Sequence, residues 1–439
     1  MVKPTQDTPM EVITLSDIDQ AIALTHVLTV YFYQPNSHWF QQNAVKTLKE
    51  SLSKALVPFY PLAGRLQPTA AGDRLELNCN SAGALFVEAE SEATIEDFGD
   101  FPPNEQMRQL APQVDYQQPI HELPLLLVQV TRFKCGGICM GWGMSHVIAD
   151  AKSAAHFLSE WTRIARGEPL ENLPIFDRSC LIPGEPLPSS CFDHLELSPN
   201  PVLIGQSDIE EERKKETVVE VFKLTAEQVE KLKNKANKDP TRHNSERPFT
   251  RYEAVAGHMW RCACIVRGHK SEQMTRLRIP VDFRNRVEPP LPPWYFGNVA
   301  FPAAAMATAG ELMSKPLAFA CGTIREAVEN VKNDYIKSFL VSLRKERDLS
   351  KFRYSHVVGS SCAVFPGNPN MHITSWMTIT LRGTDFGWGK EVYFGPVALG
   401  YDGKSYILSG RDEPDSLAVA LRLQVAHMNA FKKLFYESI

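Results

Sequence analysis

Between residues 138 and 146 the chain reads ICMGWGMSH, a segment whose two faces differ in bulk. In an extended strand Ile138, Met140, Trp142, Met144 and His146 share one side, and Cys139, Gly141, Gly143 and Ser145 share the other. The bulky face belongs to a core, and the small face predicts another segment packed closely against it. The preceding PLLLVQVTRF (124–133) reads as a second strand, joined to the first through Gly136 and Gly137 as a hairpin. Directly afterwards residues 150–166 predict a helix, with Phe157, Trp161 and Ile164 on one stripe, Asp150 as N-cap and Gly167 at the end. His146 is therefore expected where a buried strand passes into a helix, beside small residues that leave room for a substrate. That position suits a general base at an internal cleft. The bland alternative is a structural histidine, since His-x-x-x-Asp alone is a weak signal and Asp150 already has a capping role.

At 439 residues the chain exceeds the size at which one core stops growing, so two domains are expected. The first half alternates strands and helices, including a helix over 41–56 with Val45, Leu48, Leu52 and Leu56 at helical spacing before Pro58 and Pro61. Residues 168–216 are rich in proline and charge and read as a crossover, with the linker proper at 191–216 between domains 1–190 and 217–439. Beyond it come a strand at 217–223 and a helix from Thr225 with Gln228 in capping-box position. After a polar stretch at 237–249 a second capping box, Thr250 with Glu253, opens another helix. A helix over 317–345, strands through 372–381 and 391–399, and a last helix over 415–436 complete the expectation. Trp161 and Trp260 both lie in predicted helices ending in an Arg-Gly pair, a hint of two related halves.

Several function classes drop out. Lys plus Arg 47 against Asp plus Glu 51 gives a net charge of -4, and without a basic run nucleic acid is not an expected partner. Nine scattered cysteines resemble reduced thiols more than a disulfide framework, and Cys135/Cys139 and His258/Cys262/Cys264 lack a matched second pair for zinc, so no metal is expected. No apolar stretch approaches 18 residues, which points to a cytoplasmic protein that neither enters nor spans a membrane. Walker loops, a GxSxG elbow and HExxH are missing. DFG occurs at 97–99 and within DFGWG at 385–389, yet there is no kinase catalytic or glycine-rich loop. DFGWG reads as a tight turn in which Asp385 bonds backbone amides.

HVIAD (146–150) followed more than two hundred residues later by DFGWG resembles the plant BAHD acyltransferase family. THVLTVYFY (25–33), LVPFYPLAGRL (56–66), RYEAVAGHMWRCAC (251–264) and VDFRNRVEPPLPPWYFGN (281–298) extend the resemblance over nearly the whole chain. Within the family it is most similar to hydroxycinnamoyl-CoA transferases of phenylpropanoid metabolism, and among those to spermidine hydroxycinnamoyltransferases, through GEPLENLPIFDR, DFGWGKE and LQVAHMNAFKK. The resemblance implies an α/β fold of two similar domains, each a mixed sheet with helices, enclosing a solvent channel. It implies His146 as base, with Asp385 sometimes counted beside it as catalytic, and structural roles for Asp150, Gly387, Trp388 and Gly389. His26 and Tyr31 would border the acceptor channel, Thr374 and Trp376 would sit near the reacting carbonyl, and Thr250 would meet coenzyme A.

Coenzyme A thioester would be a substrate, with no cofactor, and the protein a monomer. The expected product is a hydroxycinnamoyl amide of spermidine. Relatives that acylate shikimate or quinate resemble one another in an arginine about thirteen residues before Thr-Ser-Trp, and the equivalent stretch here, 356–370, has none, although Arg382 lies close enough to be considered. The shikimate or quinate ester is the alternative. Other classes are an idle small-molecule-binding relative and a thioesterase that releases coenzyme A to water.

Overall fold

Leu126–Phe133 and Ile138–Ser145 pair antiparallel across the glycine turn, with Leu126 opposite Met144 and Arg132 opposite Ile138. Their close neighbour is what the small residues predict: a Cβ on Gly141 would lie 2.0 Å from the Leu110 carbonyl oxygen. The computed structural model describes residues 1–439 other than 36, 185, 206–208, 239–246, 354–365 and 412. The polar stretch at 237–249 and the arginine-free stretch at 356–370 therefore lie in large part outside the described residues.

In the first half the strands are β1 (Val12–Thr14), β2 (His26–Tyr33), β3 (Arg65–Pro68), β4 (Leu75–Asn78), β5 (Leu85–Ser91), β6 (Leu126–Phe133) and β7 (Ile138–Ser145). The second half supplies β8 (Thr217–Leu224), β9 (Met274–Asp282), β10 (Ala300–Thr308), β11 (Met371–Ser375), β12 (Tyr393–Pro396), β13 (Lys404–Ser409) and β14 (Leu417–Gln424). Among the described residues these form a five-stranded sheet in the order β12-β2-β7-β6-β5, a six-stranded sheet β10-β9-β11-β13-β14-β8, and a small sheet β1-β4-β3. Both large sheets are mixed: β5 runs parallel to β6, and β11 runs parallel to β9 and β13. Helices His38–Ala55 and Ala151–Ala165 cover the first, and Arg251–Val266, Leu317–Glu329 and Val425–Glu437 the second.

The two Arg-Gly helix ends are built alike. Gly167 and Gly268 adopt φ of +76° and +62°, and their amides donate to Ile164 and Ile265 carbonyls at 3.1 and 3.0 Å. The predicted caps are present as well: Thr225 with Gln228 and Thr250 with Glu253 each form the reciprocal box.

Two expectations change. Residues 415–436 are not one helix: Leu417–Gln424 is strand β14, paired on both sides by β8 and β13, and only Val425–Glu437 is helical. The 317–345 segment is two helices, Leu317–Glu329 and Asn333–Lys345, and the Arg286 guanidinium donates to the Val328 and Val331 carbonyls freed at the break, at 2.6 and 3.2 Å. The crossover is bonded to the second sheet at 198–200. The Ser198 and Pro199 carbonyls and the Asn200 side chain accept from the fully buried Arg276, fastening the crossover to the second sheet.

The halves also exchange material. β12 lies in the second half of the sequence but pairs with β2, Phe394 opposite Tyr31. With it Trp376, Phe386 and Trp388 join the apolar core formed by Trp161, Phe157 and Phe59.

Candidate active site

His146 is held by its backbone. Its amide donates to the Thr25 carbonyl at 2.8 Å, and the Asn298 side-chain amide donates to the His146 and Val147 carbonyls at 2.8 and 3.0 Å. Asn298, fully buried, is itself bound to Asp19 through its backbone and side-chain amides at 3.0 and 2.8 Å, and Asp19 is paired with Arg178 at 3.1 Å. Residues from 19, 146, 178 and 298 thus lock one turn between the halves. Asp150 points away from the histidine: it caps the helix through the Ser153 amide at 2.9 Å, accepts the Val299 amide at 2.9 Å, and takes the Arg284 guanidinium at 2.8 and 2.9 Å.

The His146 ring is half-buried, and its Nδ1 is buried without a hydrogen-bond partner among the described residues. The accessible part of the ring is therefore its Nε2 side. Burial is the largest influence on its proton affinity and lowers the pKa, with the Lys404 charge acting in the same direction, while nearby carbonyls and Asp150 oppose them. At neutral pH the imidazole is uncharged and able to accept a proton.

Across from it stands one face of the six-stranded sheet. Register puts His372 opposite Lys404 on one side and Arg278 on the other. Lys404 Nζ lies 3.2 Å from both ring nitrogens of His372 and 3.2 Å from Thr374 Oγ1. Tyr406 lies on the same face, its ring centroid 5.1 Å from Lys404 Nζ. Trp376 follows, stacked on Tyr406 at 4.4 Å and Phe394 at 5.9 Å. A cavity of about 250 Å³ opens beside it, bordered by Thr378, Arg382, Phe394 and Leu408. Arg382 contributes to that cavity while donating to the Gly410 carbonyl at 3.0 Å.

Three expected site residues stand elsewhere. Tyr31 has no exposed surface; its hydroxyl donates to the Leu381 carbonyl at 2.9 Å and its ring packs on Phe394, so it fastens β2 to the exchanged segment and borders no channel. His26 is paired with Ser145, next to His146, but both ring nitrogens are engaged, at 3.0 Å with the Tyr116 hydroxyl and 2.8 Å with the Pro124 carbonyl. Burial pushes its pKa down to about 4, so it is a neutral, fixed wall residue. Asp385 stands in a turn. Its carboxylate accepts the Gly387 and Gly389 amides at 2.8 and 2.9 Å, and those glycines take φ of +108° and +100°. Its carbonyl accepts from Arg166, at the far end of the helix that Asp150 starts. That is roughly 20 Å away at 1.5 Å per residue. Trp388 packs edge-on against Tyr33 and Phe40. Thr250 is exposed, its hydroxyl accepting the Glu253 amide at 3.2 Å.

Lys404, Arg278, Arg284 and Asn298 were not singled out in the sequence. The signal for Lys404 was present: in KSYILS a lone lysine shares its alternation with Tyr406 and Leu408.

Two mixed-sheet halves with a half-buried histidine at a strand end make up the fold, and its similarity to known proteins gives the class as an acyl-CoA-dependent acyltransferase. Vinorine synthase, at 24% identity, superposes with a TM-score of 0.73 over 98% of this chain and 94% of that one. TRI101 of F. graminearum, in complex with coenzyme A and deoxynivalenol, gives 0.78 over 95% and 96% at 17% identity. Both share the fold. Residues 1–438 match the transferase family. A hydroxycinnamoyl-CoA:piscidic acid hydroxycinnamoyltransferase of Actaea racemosa is 47% identical, and a shikimate O-hydroxycinnamoyltransferase of Nicotiana tabacum 41%, each alignment covering 100% of this chain and 98% of the relative. The chain belongs to this family, the BAHD acyltransferases, in its hydroxycinnamoyl-CoA transferase branch. Among the described residues no helix is long and apolar enough to cross a membrane.

Proposed function

We propose that the protein transfers a hydroxycinnamoyl group from coenzyme A to a hydroxyl of a small carboxylic acid, forming an ester. The observation that carries this reading is the cationic face of the second sheet toward His146: it presents Lys404 and Arg278 and, among the described residues, no carboxylate within ion-pair distance of either. A polycation such as spermidine would meet like charge there, whereas a carboxylate would meet its complement. The relatives support the same choice. Piscidic acid and shikimate are hydroxy acids, and a 36% identical Avena sativa enzyme, an N-hydroxycinnamoyltransferase, also takes a carboxylate, 5-hydroxyanthranilate, so it supports the acid and not the ester. The amide of spermidine expected from the sequence gives way to this ester.

In the proposed reaction His146 Nε2 removes the acceptor's hydroxyl proton as the oxygen attacks the thioester carbonyl. Thr374 Oγ1 accepts from Lys404, which leaves its own O–H free to donate to the tetrahedral oxyanion. Collapse expels coenzyme A as thiolate, which takes the proton back from His146. The cavity beside Trp376 would receive the donor, and the exposed helix start at Thr250 would lie toward its phosphates. No cofactor enters these steps.

The test is incubation of the purified protein with p-coumaroyl-CoA and equal concentrations of shikimate, piscidic acid and spermidine, with products identified by mass spectrometry. Esters of an acid are expected. Preferential formation of spermidine amides would overturn the assignment, as would coenzyme A release at the same rate without any acceptor.

A further inference from the structure

We propose that Lys404 is the clamp for the acceptor's carboxylate and sets the enzyme's specificity for acids, with Arg278 as a second cation on the same wall; this rests on the ester-forming reading above. Lys404 opens β13, where it pairs in register with His372. Alternation along the strand sends Ser405 and Ile407 to the helix-covered face and Lys404, Tyr406 and Leu408 to the face toward the first half. Ile407 accordingly lies in the second-half core, and Leu408 and Tyr406 against the first-half core. The same face of β11 shows His372 and Thr374, and that of β9 shows Arg278. With strands about 4.8 Å apart, Lys404 and Arg278 are separated by about 10 Å at the backbone, with His372 between them.

The residue is only 9% exposed, yet the partners of its ammonium include no carboxylate: they are the His372 ring and the Thr374 hydroxyl. No carboxylate lies within ion-pair distance of it among the described residues. Arg278 donates to Asn200 Oδ1 at 3.3 Å and is likewise outside every ion pair found there. By contrast three other cations with buried side chains have carboxylate partners: Arg178 with Asp19, Arg267 with Asp402, Arg284 with Asp150. A buried, uncompensated charge is costly; the buried Arg65 and Arg276 meet that cost with backbone carbonyls, and the Lys404 ammonium has only a ring and a hydroxyl. The missing counterion is external, and the channel delivers it. A carboxylate seated at Lys404 places the rest of a small acid toward His146, whose proton affinity already senses the Lys404 charge.

Burial without a counterion also brings the Lys404 pKa down to about 7, Arg278 adding to the effect. The groups facing it are Arg278, His146, His372, Tyr401 and Tyr406. The two phenols are pushed upward by burial, and Arg278, though lowered by burial, starts from the high range of a guanidinium. An acid that binds to the ammonium form therefore draws a proton onto Lys404 at pH 7 to 8.

The experiment compares shikimate with its uncharged methyl ester as acceptors for the full chain, in wild type, Lys404→Met and Lys404→Arg. The expected result is a preference for the acid, in kcat/KM, that falls on the order of 10- to 100-fold in Lys404→Met and is largely kept in Lys404→Arg. Using the ratio cancels any loss that both acceptors share through Thr374. Unfolding in urea accompanies the kinetics, and Lys404→Met is expected to be at least as stable as wild type because it removes an unpaired buried charge. Calorimetry of wild type in two buffers of different ionisation enthalpy is expected to register proton uptake with shikimate and none with the ester. An unchanged ratio in Lys404→Met, or binding of the acid without proton uptake at pH 7 to 8, overturns the clamp. If wild type forms no ester with any acid, the ester-forming reading itself has failed, a result separable from failure of the clamp alone.

Discussion

His146 combines a basic nitrogen open to the channel with a backbone fixed by Thr25 and Asn298, so removing its side chain subtracts chemistry and little else. His146→Ala is expected to lower turnover by on the order of 10² to 10⁴ with unchanged urea unfolding. Its lowered pKa also fixes the acid limb of the rate profile. The imidazole acts as base only when neutral, so kcat/KM is expected to stay level below the ordinary histidine value of 6.5 and to fall only at more acid pH. A limb centred at or above 6.5 would contradict the burial that the structure assigns to it. Asp150 behaves in the opposite way. Asp150→Asn removes one of the two carboxylates paired with the largely buried Arg284, Asp282 remaining at 3.1 Å, and a loss of about 1–3 kcal/mol is expected in urea unfolding.

Among the elements, the DFGWG turn is where sequence expectation and structure can be separated by one substitution. Asp385→Ala removes the acceptor for the Gly387 and Gly389 amides, which are exposed enough for water to replace much of the bond. A destabilisation of about 1–2 kcal/mol is expected, with turnover per folded molecule within a few-fold of wild type. Normal unfolding with lost activity would return Asp385 to the catalytic machinery. Strand β14 teaches a different lesson. LAVALRLQ has the composition of a helix, and it is a strand because β8 and β13 offer backbone partners on both sides. The caps were legible because each is complete within four residues. Thr250 and Glu253 satisfy one another whatever surrounds them.

For the whole molecule, burial of neutral histidines couples stability to acid. His26, His258 and His269 are buried, with pKa values brought down to about 4, whereas in the unfolded chain each titrates near 6.5. Below 6.5 the unfolded chain binds protons that the folded one refuses, so stability is expected to fall as pH drops from 6.5 toward 4. The loss is about 2 kcal/mol for each histidine by pH 5, measurable as a shift in the urea midpoint. Lys404 extends the trend upward: titrating near 10.5 unfolded and about 7 folded, it favours unfolding until pH exceeds 10.5, and Lys404→Met should flatten the slope between 7 and 10.5. The amino-acid sequence alone determined the hairpin, the capped helices and the place of His146 at a strand end, because alternation, glycine turns and caps are short-range and each closes within a few residues. Only the tertiary structure decided that β12 crosses into the first sheet, that Tyr31 is core and Asp385 a turn remote from the base, and that Lys404 and Arg278 face His146. Those arrangements rest on pairing and burial between residues tens to hundreds of positions apart, whose free energy exists only once the sheets have formed.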